Sequence, residues 1–586
     1  MTIQQQEIKF EFIDSDNNFK FTTTLLQSDS GVQIYRISMK RQQYVFPKPV
    51  IMKWYYPTVD IAGYWDAGSG RDKGLRIDFQ KPIQTKSTSL APVCCLYNES
   101  DINKVTFALS DAMNTIALRA GVQEESANIE FYTEFFIEAS PPIDEYIVDV
   151  RIDRRSIRYE EAINDVAQWW ATQPGYEPAA VPEIAKMPMY STWYSFHQNV
   201  DPNELLQQCY YAKKLGCEAI IVDDGWQTIN SERGYAYCGD WKVSTERIPN
   251  MKQFVQDVQN LGMKFLLWYS VPFVGKKSQV WSTYEGKYLN DYDVDTSILD
   301  PRFPEVREYL ISIYEKALLD WNLDGFKLDF VDSFVMSEEL KYSIGEGRDY
   351  DSVPEAVDQL LSDTICRLQA IKPDIMIEFR QQYIGPMMRK YGNMFRVADC
   401  PNNYSQNRIG SLDIRLLAGI TAVHSDMMMW HKDEKPENVA LQFIHALFSV
   451  PQVSVKLHEM SKEQYEVIEF WLNFWIKHKE TLLSGKLIAY SPHYLYPVVN
   501  ATTKFESITV LYNSQYLKVL SMAQREIIIN SNKQETIIID FTKSVRGTSY
   551  IHNCFGELIS NIPINFEAGI QCFNVPISGM LSIEYD

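Results

Sequence analysis

The chain has 586 residues, 45% of them hydrophobic and 23% charged, a balance that belongs to about two to four globular domains. Its 56 basic against 76 acidic residues leave a net charge of −20, which argues against a nucleic-acid partner, whose phosphates need a basic footprint. No apolar run approaches the ~18 residues of a membrane helix. The nine scattered cysteines include no C-x-x-C pair and the eight histidines no H-E-x-x-H, so a disulfide framework or a metal site is not expected.

Residues 1–160 read as β-structure. "IKFEFIDSDNNFKFTTTL" is two alternating runs around the turn-rich "DSDNN" and predicts a hairpin. "VQIYRISMK", "YVFPKPVIMKW", "NIEFYTEFF" and "EYIVDVRID" continue the alternation, and together they predict an N-terminal β-sandwich. Within it, "GYWDAGSG" places Trp65 and Asp66 in a turn-rich stretch, read either as a surface loop or as a lid over a barrel mouth of its own or a neighbouring subunit. A helix-like piece, "YEEAINDVAQWWATQ", and the Pro-containing "PGYEPAAVPEIAKMP" predict a linker over 161–184.

From 185 to 484 the character changes. Eight apolar strands, "MPMYSTWYSF", "CEAIIVDDGW", "KFLLWYSV", "GFKLDFV", "DIMIEFR", "MFRVADC", "ITAVHSD" and "PQVSVKL", alternate with amphipathic helices. Asp201 caps one helix, with Pro202 at its first position and Gly216 at its end. Val306, Leu310, Ile313 and Ala317 mark another, and Val357, Leu361, Ile365 and Leu368 a third. Links into the strands are short and links out of them long, which predicts a (β/α)8 TIM barrel with its site at the carboxyl ends of the strands. Residues 485–586 return to β and predict a C-terminal β-sandwich. The fold class is therefore multidomain, α/β plus all-β.

Polar and indole side chains gather at those strand ends: Trp193, Asp223, Asp224 and Trp226, Trp268, Lys327 and Asp329, Glu378 and Arg380, Arg396 and Asp399, His424 and Asp426. Singly each has an ordinary structural reading: a buried ion pair, a strand-end turn, a core indole, a hydrogen-bonded histidine. Together they are hard to explain as packing, because unpaired buried polar groups are penalised. Carboxylates and cations that grip hydroxyls, with indole faces that stack on C–H faces, describe a sugar site. Two of the carboxylates can do glycoside hydrolysis, one attacking the anomeric carbon or activating water and one protonating the leaving oxygen. Lys327, two residues from Asp329 on the same strand face, favours an ionised attacker.

The order "YSTWYSF", "VDDGWQ", "LLWYSVP", "DGFKLDF", "FRVADCP" and "AVHSD" resembles glycoside hydrolase family 36, the α-galactosidases or melibiases, with raffinose-synthase-like proteins as relatives. The resemblance covers roughly residues 185–480. It implies a retaining mechanism with Asp329 as nucleophile, Asp399 as general acid/base and Lys327 on the sugar. It also implies Asp223 and Asp224 on O4 and O6, Trp193 and Trp268 lining the pocket, and Arg396 orienting sugar and acid. Trp226, His424 and Asp426 complete the candidate substrate-binding set. One departure stands out: Asp399 follows Arg396 by three positions where the family has four, so Asp426 is the alternative acid. The resemblance implies no metal and no organic cofactor. The expected partner is an oligosaccharide or glycoside, with no nucleic acid and no membrane, and a homo-oligomer is compatible with the sequence. A galactosyl transglycosylase or an impaired carbohydrate-binding homologue would use the same residues. The start "MTIQQQEIKFEF" has no secretory pattern, so a cytoplasmic location is expected if the chain is full length, and a periplasmic or secreted one otherwise.

Overall fold

The computed structural model describes residues 7–16, 18–337, 340, 345–519 and 523–586. Its centre is an eight-stranded parallel sheet: Met189–Ser191, Ala219–Val222, Lys264–Ser270, Gly325–Asp329, Met376–Arg380, Met394–Arg396, Ala422–His424 and Gln452–Val453, each beside its sequence neighbour. Gln452–Val453 pairs back onto Met189–Ser191, and the bridges His424–Val450 and Met428–Val453 complete the ring between the seventh and eighth strands. This is the TIM barrel that the alternating pattern predicts. The strands read as unbroken apolar runs because a parallel barrel strand is covered on both faces.

The helices start and stop for local reasons. Asp201 accepts from the Asn203 and Glu204 amides at 2.9 and 3.0 Å, Pro202 opens helix Pro202–Lys214, and Gly216 follows its end at φ 92°. Helix Pro304–Trp321 buries Val306, Leu310 and Ala317 of its expected stripe and leaves Ile313 half-buried, and Val353–Ile371 buries Val357, Leu361, Ile365 and Leu368 as expected. Helix Tyr159–Ala171, in the span between sandwich and barrel, buries Tyr159, Ile163, Val166 and Trp170 in the same core as the barrel residues, so this span is a packed element.

The N-terminal domain is two sheets, five- and six-stranded, closed over a core in which Trp54 stacks on Phe131 at 3.9 Å. The expected hairpin around "DSDNN" does not form. Glu11–Asp14 pairs with Val50–Pro57 in one sheet, whereas Lys20–Asp29 pairs with Val32–Val45 in the other. The Asp14 carboxylate accepts from the amides of Asp16, Asn18 and Phe19 and turns the chain across the sandwich. Two alternating runs flanking a turn look the same in sequence whether they share a sheet or face each other across a core. The C-terminal domain is likewise two sheets, of seven and three strands, over a core of Leu511, Ile528, Ile537, Ile539 and Leu581.

Trp65 is no lid over this barrel. It lies in strand Gly63–Asp66, fully buried, and its indole donates to Asp413 on helix Tyr404–Ala418 at 2.9 Å. Asp66 is buried against Arg76 at 3.0 Å. The glycines that make the stretch look like a loop flank a short strand.

Candidate active site

Parallel register sets the inward side chains in layers. Trp268 lies beside Lys327 and Lys327 beside Glu378; Ser270 lies beside Asp329, and Arg380 beside Arg396. Phe326, on the alternate face of the fourth strand, meets Tyr269 and Tyr314 outside the barrel. The odd strand "GFKLDF" is thus apolar toward the helices and charged toward the axis.

Asp329 is the most heavily coordinated group. Its Oδ1 accepts from Arg380 Nε at 2.9 Å, the Tyr383 hydroxyl at 2.6 Å and the Phe330 amide at 2.9 Å, and its Oδ2 from Trp268 Nε1 at 3.1 Å. Lys327 Nζ stands 4.0 Å away. Burial alone would raise the Asp329 pKa. The Arg380 and Lys327 charges and the Tyr383 and Trp268 hydrogen bonds outweigh it and hold the carboxyl well below the usual range.

Lys327 donates directly to Asp223. Asp224, its neighbour in sequence, points elsewhere and accepts from Gln198 at 2.6 Å and Gln227 at 2.7 Å. Burial pushes Asp224 up to about 6 despite those bonds. Gly225 makes the turn possible: at φ 115°, a Cβ there would stand 2.5 Å from the Gln198 carbonyl oxygen.

Arg396, fully buried, is the hub of the opposite wall. It donates to Asp399 at 2.9 Å and to Asp426, and its Nε lies 3.5 Å from Glu378. The two carboxylates differ. Asp426 is completely buried and also accepts from the Tyr194 hydroxyl at 2.8 Å and the Cys400 amide at 2.7 Å; burial raises its pKa. The Asp399 side chain is 43% exposed at the mouth. Burial acts on it too, but the Arg396, Lys327 and Arg380 charges win and lower it. Asp426 is a satisfied anchor of the loop after the sixth strand, and Asp399 is the carboxylate on that loop open to a ligand.

Trp193 lies on the short helix after the first strand, half-buried, with its ring 3.7 Å from that of His197. Two expected residues are already satisfied inside the protein. Trp226 is fully buried among Trp241, Tyr269 and Trp321, and donates to the Trp268 carbonyl at 2.9 Å; it packs behind the third strand. His424 meets the Ala185 carbonyl at 2.7 Å, with Gln452 at 3.2 Å on its other nitrogen, and burial lowers it to about 4. It is a neutral interior histidine satisfied by the segment before the first strand. Tyr383, Gln198 and Gln227 were not read from the sequence at all, and Arg380 was noted at its strand end without a role. Among the described residues no cluster of His, Cys, Asp or Glu is placed to hold a metal ion, and no helix is long and apolar enough to cross a membrane.

Comparison with known proteins bears on this geometry. Residues 185–346, the stretch from the first barrel strand past Asp329, match the melibiase family model. The chain is 28% identical over 197 residues to an α-galactosidase of Escherichia coli, an alignment that covers 32% of this chain and 27% of that protein. The aligned part thus spans about a quarter of that curated relative. The fold extends the likeness. The α-galactosidase AgaB of Geobacillus stearothermophilus superposes with a TM-score of 0.66 at 12% identity, covering 99% of this chain and 81% of that one. The AgaA enzyme of the same organism has been solved with stachyose (TM-score 0.62, 11% identity, 95% and 80% covered) and with raffinose (0.64, 11%, 97% and 81%). The family model thus covers the first half of the barrel, and the solved α-galactosidases share the arrangement of a barrel between two all-β domains.

Proposed function

We propose that this protein is a retaining α-galactosidase that hydrolyses a terminal α-linked galactose through a covalent glycosyl-enzyme intermediate. The observation that carries the reading is Asp329: a buried carboxylate, held ionised by two cations and four donors, in a barrel whose mouth exposes a second carboxylate at Asp399. Asp329 attacks the anomeric carbon while Asp399, which must first take up a proton against the Arg396, Lys327 and Arg380 charges that lower it, protonates the departing oxygen. Asp399 then takes a proton from water, which displaces Asp329 with net retention. Asp223, Asp224 and Lys327 hold sugar hydroxyls, Trp193 and Trp268 line the pocket, and Arg396 orients Asp399. The stachyose and raffinose complexes of AgaA support the substrate class.

Initial rates on aryl α-galactoside, α-glucoside and β-galactoside test the reading: turnover confined to the first is expected, and turnover on none would sink it. A large excess of sugar acceptor separates hydrolysis from galactosyl transfer.

Two further outcomes follow from the site. Asp399→Ala is expected to lose about 10²- to 10⁴-fold on an oligosaccharide, whose leaving group needs a proton, and far less on a nitrophenyl galactoside. Azide should then rescue it with formation of the α-galactosyl azide; equal losses on both substrates would remove Asp399 from the acid role. Because Asp329 stays ionised far into acid, the acid limb of kcat/KM belongs to Asp224. Its raised pKa puts the change near 6. Binding through the ionised carboxylate is complete above that pH and falls about tenfold per unit below it. A limb near pH 4 would assign it to another group.

A further inference from the structure

We propose that Lys86, on the N-terminal sandwich, is a positioning residue for the nucleophile: it clamps the turn that follows Asp329. The inference rests on Asp329 acting as proposed above. Lys86 follows strand Ile83–Thr85 in a tight turn, closed by reciprocal Lys86–Ser89 backbone hydrogen bonds of 2.9 and 3.0 Å. Its Nζ crosses to the barrel and donates to the carbonyls of Asp332 at 2.8 Å and Phe334 at 3.4 Å. Both carbonyls belong to the single 3₁₀ turn Val331–Ser333 and its end, directly after the fourth strand.

That turn needs an external hold. Phe330 begins it at φ 62°, a left-handed conformation that a bulky residue keeps only when its surroundings impose it. The Phe330 amide donates both to Asp329 Oδ1 and to the Tyr383 hydroxyl at 3.1 Å, so the turn's placement sets the direction of the carboxylate.

The same sandwich turn grips the second segment that touches Asp329. The Leu90 amide donates to the Gln382 carbonyl at 2.9 Å, and a Cβ at Gly385 would stand 2.4 Å from the Leu90 carbonyl oxygen. Between them lies Tyr383, fully buried, with its hydroxyl on Asp329. Residues 86–90 therefore join two active-site segments that approach Asp329 from the fourth and fifth strands. Lys86 also spends its donors on carbonyls rather than on a carboxylate; Glu138 and Asp332 are near enough to act on its charge, yet neither side chain bonds it, and burial lowers its pKa.

The test compares wild type, Lys86→Met and Lys86→Arg. With an aryl α-galactoside, Lys86→Met is expected to lose roughly tenfold or more in kcat, with KM within about twofold, since a small misplacement of a reacting group costs rate before binding. Lys86→Arg, which keeps the charge and donors, should restore most of the rate. Amide hydrogen exchange over 330–336 and 381–385 should quicken in Lys86→Met while the barrel strands stay protected. Unchanged kcat with unchanged exchange overturns the proposal. So does exchange that rises across the whole sandwich, because Lys86 would then only hold its own domain. Wild type inactive on every α-galactoside overturns the functional reading instead, and the exchange comparison, which needs no turnover, still decides the clamp.

Discussion

Asp329→Ala is expected to lower kcat on an aryl α-galactoside by at least about 10,000-fold, because a double displacement without its nucleophile has no first step. The loss belongs to the reaction more than to the fold. Arg380, Tyr383, Trp268 and the Phe330 amide all aim at this carboxylate, and all remain in the variant around an empty, cationic pocket. A small anion should fill it. Azide is therefore expected to restore part of the rate and to appear in the product as the β-galactosyl azide, formed by one displacement on the face Asp329 vacates. The Asp399→Ala product has the opposite configuration, since there azide intercepts an intermediate still bound through Asp329. The anomeric configuration of two azides thus assigns the two roles independently of any rate. An α-azide from Asp329→Ala, or full activity without azide, would show that another residue attacks.

The barrel was legible because its signal is redundant. Each strand is an apolar run ended by polar residues, and the helices carry their own stripes, so one unclear segment such as "PQVSVKL" does not obscure the other seven. The charged half of "GFKLDF" pointed to the proposed nucleophile for a physical reason: a lysine and an aspartate on one face of a core strand must pair or react. Here Lys327 pairs with Asp223, and Asp329 is the carboxylate proposed to attack. What failed was direction. A strand end says that a side chain is near the mouth, but not whether it turns into the pocket, as Trp268 does, or behind the next strand, as Trp226 does. His424 is inward-facing yet is satisfied from the segment before the first strand, a contact 239 residues distant in the chain. Tyr383 was invisible because it sits in a loop, where spacing carries no periodic signal. Arg380 was in plain view at its strand end. The same rule that selected Arg396 would have selected it, since a carboxylate kept ionised in a buried site needs more than one lysine.

Asp413→Ala is expected to cost on the order of 3–5 kcal/mol of stability from the stranded charge alone. Asp413 lies on barrel helix Tyr404–Ala418 and accepts from Lys73 Nζ at 2.8 and 3.0 Å, from the Trp65 indole at 2.9 Å and from the Tyr496 hydroxyl. Trp65 and Lys73 come from the N-terminal sandwich, and Tyr496 precedes the strand Val498–Thr502 of the C-terminal one. One carboxylate therefore joins all three bodies. The Lys73 and Asp413 side chains are 0% and 2% exposed, so removal of the anion strands an ammonium and two donors without water to replace it. Thermal unfolding should start earlier and split into more than one transition, because the domains lose a shared anchor. The double variant Asp413→Leu/Lys73→Met discriminates the cause. Replacing a buried ion pair with apolar groups of similar size is often close to neutral, so most of the loss should return; no recovery would mean that the helix, rather than the charge, was damaged. The effect should also reach catalysis. The anchored helix begins at Tyr404, directly after the loop that carries Asp399, and Arg71 of the same sandwich bonds Gln406 at 3.0 Å. If Asp413→Ala below its transition keeps full kcat on an oligosaccharide, the loop holds Asp399 through Arg396 and Asp426 alone; if kcat falls while the double variant recovers it, the three-domain anchor also sets the position of the acid.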